Sequence, residues 1–167
     1  MTSRLARVMA VGALVAVAAG CSAGNLEPGV QQGPYPVSRV VDGDTVRVMR
    51  DGQEIVVRLI GIDTPETVAP DRPVECFGPE ASARTQQLAE GARVWLEYDE
   101  VTGETDKYDR ILAYVWLTPD TMLNEELVRE GYAIERTYQE GYRYQDRLRA
   151  AEDAAQARGA GLWSACP

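Results

Sequence analysis

Gln53-Glu54-Ile55-Val56-Val57-Arg58-Leu59-Ile60-Gly61-Ile62-Asp63-Thr64-Pro65-Glu66 begins as a strand and ends as a polar turn. Ile55, Val56, Val57 and Ile60 are β-branched, and such side chains fit a pleated, half-buried surface. Pro65 cannot donate to a sheet ladder, so the strand has to stop near Asp63. Two carboxylates and a hydroxyl are then displayed at a strand exit, close in sequence to Arg58. Loops held by a rigid sheet are where chemistry concentrates.

Working outward, Thr45-Val46-Arg47-Val48-Met49 alternates as a strand, and Asp51-Gly52 is a two-residue hairpin signal that joins it to the stretch above. Val37 to Val41 reads as the first strand, followed by turn residues Asp42-Gly43-Asp44, and the third strand is expected to run on to Ile62. Thr67 to Glu75, with Pro70 and Pro73, reads as a loop. Gly78-Pro79-Glu80 opens a helix, with proline in the first turn and an acid at the positive end of the dipole. That helix stops at Gly91. Arg93–Tyr98 and Ile111–Leu117 are the fourth and fifth strands, separated by a polar loop. Helices are expected from about Met122 to Glu130 and from about Tyr144 to Arg158, and Trp163 is expected to pack the tail onto the body. Five strands in a meander with three helices predict an α+β domain built on a five-stranded OB-fold β-barrel.

The N-terminus has a different character. Arg4 and Arg7 precede an uncharged run from Val8 to Ala19, too short for a permanent membrane span and suited to a secretory signal over residues 1–20. Val17-Ala18-Ala19-Gly20-Cys21 resembles a bacterial lipobox, which predicts lipidation at Cys21 and anchoring on the outer face of a membrane. The usual leucine three positions before the cysteine is here Ala18. Residues 21–36, rich in Gly, Pro and Gln, read as a flexible tether, with the folded domain over 37–167. An exported chain keeps disulfides. With Cys21 lipidated, Cys76 and Cys166 remain as the pair of the three cysteines.

The formal charge is −9. Removing residues 1–20 deletes two arginines and no acid, leaving 15 basic against 26 acidic groups. Bulk electrostatics therefore does not draw this chain to a polyanion. The chain contains no histidine, which excludes a histidine base, a Ser-His-Asp triad and a histidine-ligated zinc.

Three polar clusters remain: Asp42-Gly43-Asp44-Thr45, Arg58 with Asp63-Thr64-Pro65-Glu66, and Thr105-Asp106-Lys107-Tyr108-Asp109-Arg110. Each alone is ordinary turn or loop chemistry. Together they make a toolkit. Asp44, Asp63 and the Thr64 carbonyl are hard oxygen ligands of the kind Ca²⁺ prefers. Glu66 is placed to orient or deprotonate a water, and Arg58 and Arg110 offer planar clamps for phosphate oxygens. Those parts suit attack of water on a phosphodiester.

These residues resemble the staphylococcal nuclease (thermonuclease) family. The likeness is carried by Val41-Asp42-Gly43-Asp44-Thr45, Arg58-Leu59, Asp63-Thr64-Pro65-Glu66-Thr67, Phe77-Gly78-Pro79-Glu80-Ala81-Ser82, Thr105-Asp106-Lys107-Tyr108, Arg110 and Asn124-Glu125 to Arg129. It covers roughly Val37 to Ser164. The resemblance implies a Ca²⁺-dependent endonuclease on DNA or RNA that leaves 3′-phosphates, acting as a monomer. It implies Asp44, Asp63 and Thr64 as metal ligands, Arg58 and Arg110 on phosphate, Glu66 as general base, and Lys107 and Tyr108 on a terminal phosphate. Tyr138 falls near the family's base-stacking tyrosine, with Tyr142 and Tyr144 equally placed. Two departures stand out. Asp109 occupies a position where the family has glycine, its charge lying beside Arg110, and the chain is acidic where the staphylococcal prototype is basic. Both favour the competing reading, a non-catalytic OB-type module that binds oligonucleotides or another ligand.

Overall fold

The computed structural model describes residues 27–67, 73–139 and 141–166. The proposed signal peptide, Cys21, the first part of the tether and Pro70 lie outside the described residues. Eight strands and four helices are present among those described: β1 (Gln32–Asp42), β2 (Thr45–Arg50), β3 (Gln53–Leu59), β4 (Ile62–Asp63), α1 (Gly78–Ala89), β5 (Arg93–Glu97), β6 (Ile111–Thr118), β7 (Thr121–Met122), α2 (Leu123–Arg129), β8 (Ile134–Glu135), α3 (Gln145–Arg158) and α4 (Leu162–Ala165).

The five longer strands close into the α+β OB-fold barrel that the strand pattern predicts. The order is β3-β2-β1-β5-β6, and β3 pairs with β6 to complete the circle. The closing pair is parallel and sets Val57, Arg58 and Leu59 against Ile111, Leu112 and Ala113. Asp51-Gly52 makes the expected turn, with Arg50 opposite Gln53. Inward-facing Val46, Val48, Val57, Leu59, Val94, Leu96 and Tyr114 are buried, and α2 and α3 add Leu127 and Leu148. Asn124 on α2 is fully buried. Its Nδ2 donates to Ile60 O (2.8 Å) and its Oδ1 accepts from Val115 N–H (3.0 Å). That single amide locks the exit of β3 to β6.

Two boundaries differ from expectation. Residues 32–36, read as the end of a tether, belong to β1, which bends so that Gln32, Tyr35 and Pro36 pair with β5 while Val37 onward pairs with β2. Pro34 and Pro36 hid this half of the strand, since proline cannot donate to a ladder, yet its carbonyl still accepts; Arg93 Nη2 donates to Pro34 O (3.0 Å). The third strand ends at Leu59 instead of running to Ile62. Gly61, at φ 73°, turns the chain so tightly that a Cβ there would lie 2.7 Å from the Tyr142 ring. Ile62-Asp63 then forms β4, paired with β8. Cys76 and Cys166 are disulfide-bonded across 90 residues, as their pairing by elimination predicts. Trp163 lies in α4, whose Leu162 N–H donates to Gly131 O (2.9 Å).

Candidate active site

The barrel closure builds the site. The β1–β2 turn is held from α1, where Thr85 Oγ1 donates to Gly43 O (2.6 Å). Asp44 is thereby aimed at Arg58 on β3, whose Nη2 lies 2.9 Å from Asp44 Oδ2 and 3.1 Å from Asp63 Oδ1. Arg58 Nη1 donates to its neighbour's carbonyl, Leu59 O (2.6 Å). Asp44 accepts further from Thr45 Oγ1 (2.9 Å) and the Thr64 N–H (3.3 Å). Asp44, Arg58 and Thr64 are all buried, while Asp63 is part-exposed. Asp42 sits beside them, accepting from Thr67 Oγ1 (2.6 Å). Burial pushes the Asp42 carboxyl above its ordinary value, and Glu66 and Asp44 add to that push. Burial likewise raises Asp63, against the pull of Arg58.

The third cluster approaches from the β5–β6 loop. Asp106 organises it: Oδ1 accepts from the N–H groups of Tyr108 (2.9 Å) and Arg110 (3.1 Å), and Oδ2 accepts from Arg110 Nε (2.7 Å). Burial works to raise Asp106, but these donors hold it below the usual carboxylate range. Asp109 has φ 60°, the left-handed conformation that glycine adopts at no cost and aspartate tolerates. The carboxylate paired with Arg110 is Asp106, whose Oδ2 lies 2.6 Å from Arg110 Nη2, and not the adjacent Asp109 that sequence alone makes suspect. Arg110 and Lys107 both lie over the Tyr108 ring, at 5.3 and 4.9 Å.

Two adjoining hollows result. A depression of about 500 Å³ is lined by Asp42, Asp44, Asp63, Thr64 and Glu66. A cleft of about 570 Å³ is lined by Lys107, Gly61, Leu112, Arg136 and Tyr142. Arg58, Tyr108, Arg110 and Tyr138 line both. An acidic end thus meets a cationic, aromatic end, and the polar residues of the three sequence clusters border one or both, except Asp109, which like the candidate Tyr144 lines neither. Among the three candidate tyrosines, Tyr138 is 68% exposed at the shared rim. Tyr142 is buried and its hydroxyl donates to Glu135 Oε1 (2.6 Å). Tyr144 is half-buried, bonded to Glu97 and edge-packed on Tyr114 and Trp116. Sequence reasoning passed over Arg136, which no motif marks; its guanidinium lies 5.9 Å from the Tyr138 ring. It also left Asp42 and Glu75 without a task.

The acidic end fits a hard cation by its donor chemistry. Its side chains present oxygen only, and the buried Thr64 Oγ1 has no hydrogen-bond partner among the described residues. No group of three or more carboxylates there is arranged to hold an ion by itself. Two carboxylates, a backbone carbonyl and water suit Ca²⁺, which takes six to eight oxygens.

Residues 56–165 match the model of the staphylococcal nuclease homologue family. The chain belongs to that family. The staphylococcal nuclease match begins two residues before Arg58, and Asp44 joins the site from outside it through the 2.9 Å contact. The chain is 46% identical to the thermonuclease of Staphylococcus hyicus over 130 residues, 78% of this chain and 75% of that protein. It is 45% identical to the thermonuclease of Staphylococcus intermedius, over 77% of this chain and 75% of that one. Similarity extends at 35% identity to endonuclease YncB of Bacillus subtilis, over 77% of this chain and 60% of that protein.

Proposed function

We propose that this protein is an exported, Ca²⁺-dependent nuclease that hydrolyses DNA or RNA to 3′-phosphate products. The observation that carries the reading is the convergence of Asp44, Arg58 and Asp63 at one edge of a cleft whose other wall holds Arg110. Asp44, Asp63 and the Thr64 carbonyl would hold the ion. When bound, Ca²⁺ supplies positive charge against the phosphate. Arg58 and Arg110 grip non-bridging phosphate oxygens. A guanidinium carries five donors, so the bonds Arg58 makes to Asp44, Asp63 and Leu59 leave N–H groups for phosphate. Glu66 takes the proton of a water whose oxygen bonds to phosphorus. The bond from phosphorus to the 5′ oxygen breaks, and that oxygen is protonated from solvent. Lys107 and Tyr108 neutralise and flank the next phosphate, while Tyr138 stacks on a base. Arg136 joins the cationic wall of the cleft.

In this acidic chain, affinity comes from local charge and stacking rather than from long-range attraction. Residues 1–20 serve as signal peptide, Cys21 carries lipid, and the residues before β1 form the tether of a monomeric domain. The Cys76–Cys166 bond supports export, because such bonds persist in oxidising compartments. No helix among the described residues is long and apolar enough to cross a membrane.

The test is digestion of denatured DNA by the purified domain in Ca²⁺ and in chelator, with end analysis of the products. Degradation in Ca²⁺ alone, ending in 3′-phosphates, is expected. Binding without degradation overturns the enzyme in favour of the binding module.

A further inference from the structure

Glu66 lines the depression with Asp42, Asp44 and Asp63, and its side-chain Oε1 accepts the Thr67 N–H (2.9 Å). The backbone beneath that side chain is held by one residue nine positions on. Glu75 Oε2 accepts the Glu66 N–H (3.0 Å), and the Glu75 N–H donates to Glu66 O (2.9 Å). Both backbone polar groups of Glu66 are thus taken by Glu75. Glu75 O in turn accepts the Gly78 N–H (3.0 Å) at the start of α1. Gly78 packs directly beneath, where a Cβ would stand 2.9 Å from Glu66 O and 3.2 Å from Pro65 O. The next residue after Glu75 is Cys76, bonded to Cys166 at the end of α4. The clasp on Glu66 is therefore tied, on the C-terminal side of Glu75, both to α1 and to the C-terminal helix.

We propose that Glu75 is a positioning residue for Glu66, and that the Cys76–Cys166 disulfide holds Glu75 in place, so that turnover depends on the oxidised form. The proposal rests on the reading of Glu66 as the group that takes the water proton. Geometry at the base is where small displacements matter, since a shift of about 1 Å costs up to about 100-fold in rate. Substrate binding uses other residues and is untouched.

The experiment uses the mature oxidised chain on denatured DNA in Ca²⁺, with E75A, E75Q, C166S and their combinations with E66Q. E75A is expected to lower kcat about 10- to 100-fold with KM within about twofold of the parent. E75Q is expected to restore most of the loss, because an amide oxygen accepts the same N–H. In the E66Q background E75A is expected to have no further effect. C166S, or reduction of the parent by a dithiol, is expected to lower kcat in the same direction, and that effect too is expected to vanish with E66Q. Amide hydrogen exchange at Glu66 reads the clasp without any cleavage; it is expected to speed up in E75A and not in E75Q. Unchanged exchange, an E75A variant with the parent's kcat, or an E75A loss that persists in full with E66Q overturns the proposal while leaving the nuclease reading intact. C166S and the reduced parent at the oxidised parent's kcat overturn the disulfide's part. A parent that does not cleave at all overturns both readings together.

Discussion

Arg58 Nη2 lies 2.9 Å from Asp44 Oδ2, in an ion pair whose side chains are 8% and 11% exposed. The pair crosses from β3 to the β1–β2 turn. Arg58 is therefore a structural counter-ion for the acidic end of the site as well as a phosphate clamp.

Removing Arg58 consequently tests more than catalysis. Arg58→Ala leaves Asp44 buried without its cation, which costs about 3–5 kcal/mol. The variant is expected to melt well below the parent in chelator and to recover part of the difference in Ca²⁺. Glu66→Gln is the cleaner probe of chemistry, since it removes a base and buries no unpaired charge. It is expected to lower kcat by about 10²–10⁴-fold with an unchanged melting temperature. Melting curves with and without Ca²⁺, set beside cleavage rates, check both; an Arg58→Ala variant as stable as the parent in chelator contradicts the counter-ion role.

Asp106 and Asp109 are expected to separate cleanly. Asp106→Ala removes the acceptor that orders Tyr108 and Arg110, and kcat/KM is expected to fall by about tenfold or more. Asp109→Gly relieves a left-handed aspartate and is expected to keep cleavage within about twofold. Asp109→Ala places an unassisted Cβ at φ 60° and costs about 1 kcal/mol of stability with little change in rate. A larger catalytic loss at Asp109 than at Asp106 contradicts this division.

Arg136 and Tyr138 form the outer rim of the cleft. Tyr138→Ala is expected to weaken oligonucleotide binding by about 1–3 kcal/mol, the range for one stacked base. Arg136→Ala is expected to weaken it at low salt and to reduce the slope of log K against log salt by about 0.7, one single-strand phosphate contact. Fluorescence titrations with short single strands at several salt concentrations measure both. An unaltered slope removes Arg136 from the interface.

Alkaline pH provides a check on packing that is independent of activity. Burial first, then the facing Glu97 carboxylate, pushes the Tyr144 hydroxyl up to about 12. Burial also raises Tyr98 and Tyr114, the latter reinforced by its bond to Asp99. An unfolded tyrosine ionises near pH 10. Above that pH the unfolded chain releases protons that the folded chain retains, so stability present below pH 10 is lost as pH rises toward about 12. Tyr144→Phe has no proton to lose and is expected to flatten this limb of a denaturation series. An equally steep limb in that variant contradicts the assignment.

Where sequence reading succeeded, the signal was local. The alternation of Thr45–Met49, the Asp51-Gly52 turn and the Gly78-Pro79-Glu80 helix start depend on residues a few positions apart, and each appears where expected. Residue types also announced the chemistry: carboxylates at strand exits, arginines for phosphate, no histidine, and two cysteines left to pair. What the residues could not announce was which partners meet across the barrel. The parallel pairing of β3 with β6, the bend of β1 through two prolines and the β4–β8 pair are long-range contacts with no local pattern to mark them. The same contacts decided that Tyr138 is exposed while Tyr142 is buried, and that Asp106 rather than Asp109 holds Arg110. Sequence by itself determined the elements and the chemical inventory, because backbone preference and side-chain chemistry are carried residue by residue. Only the tertiary structure decided the pairings, because burial, charge partners and hydroxyl bonds exist only once distant segments have closed the barrel.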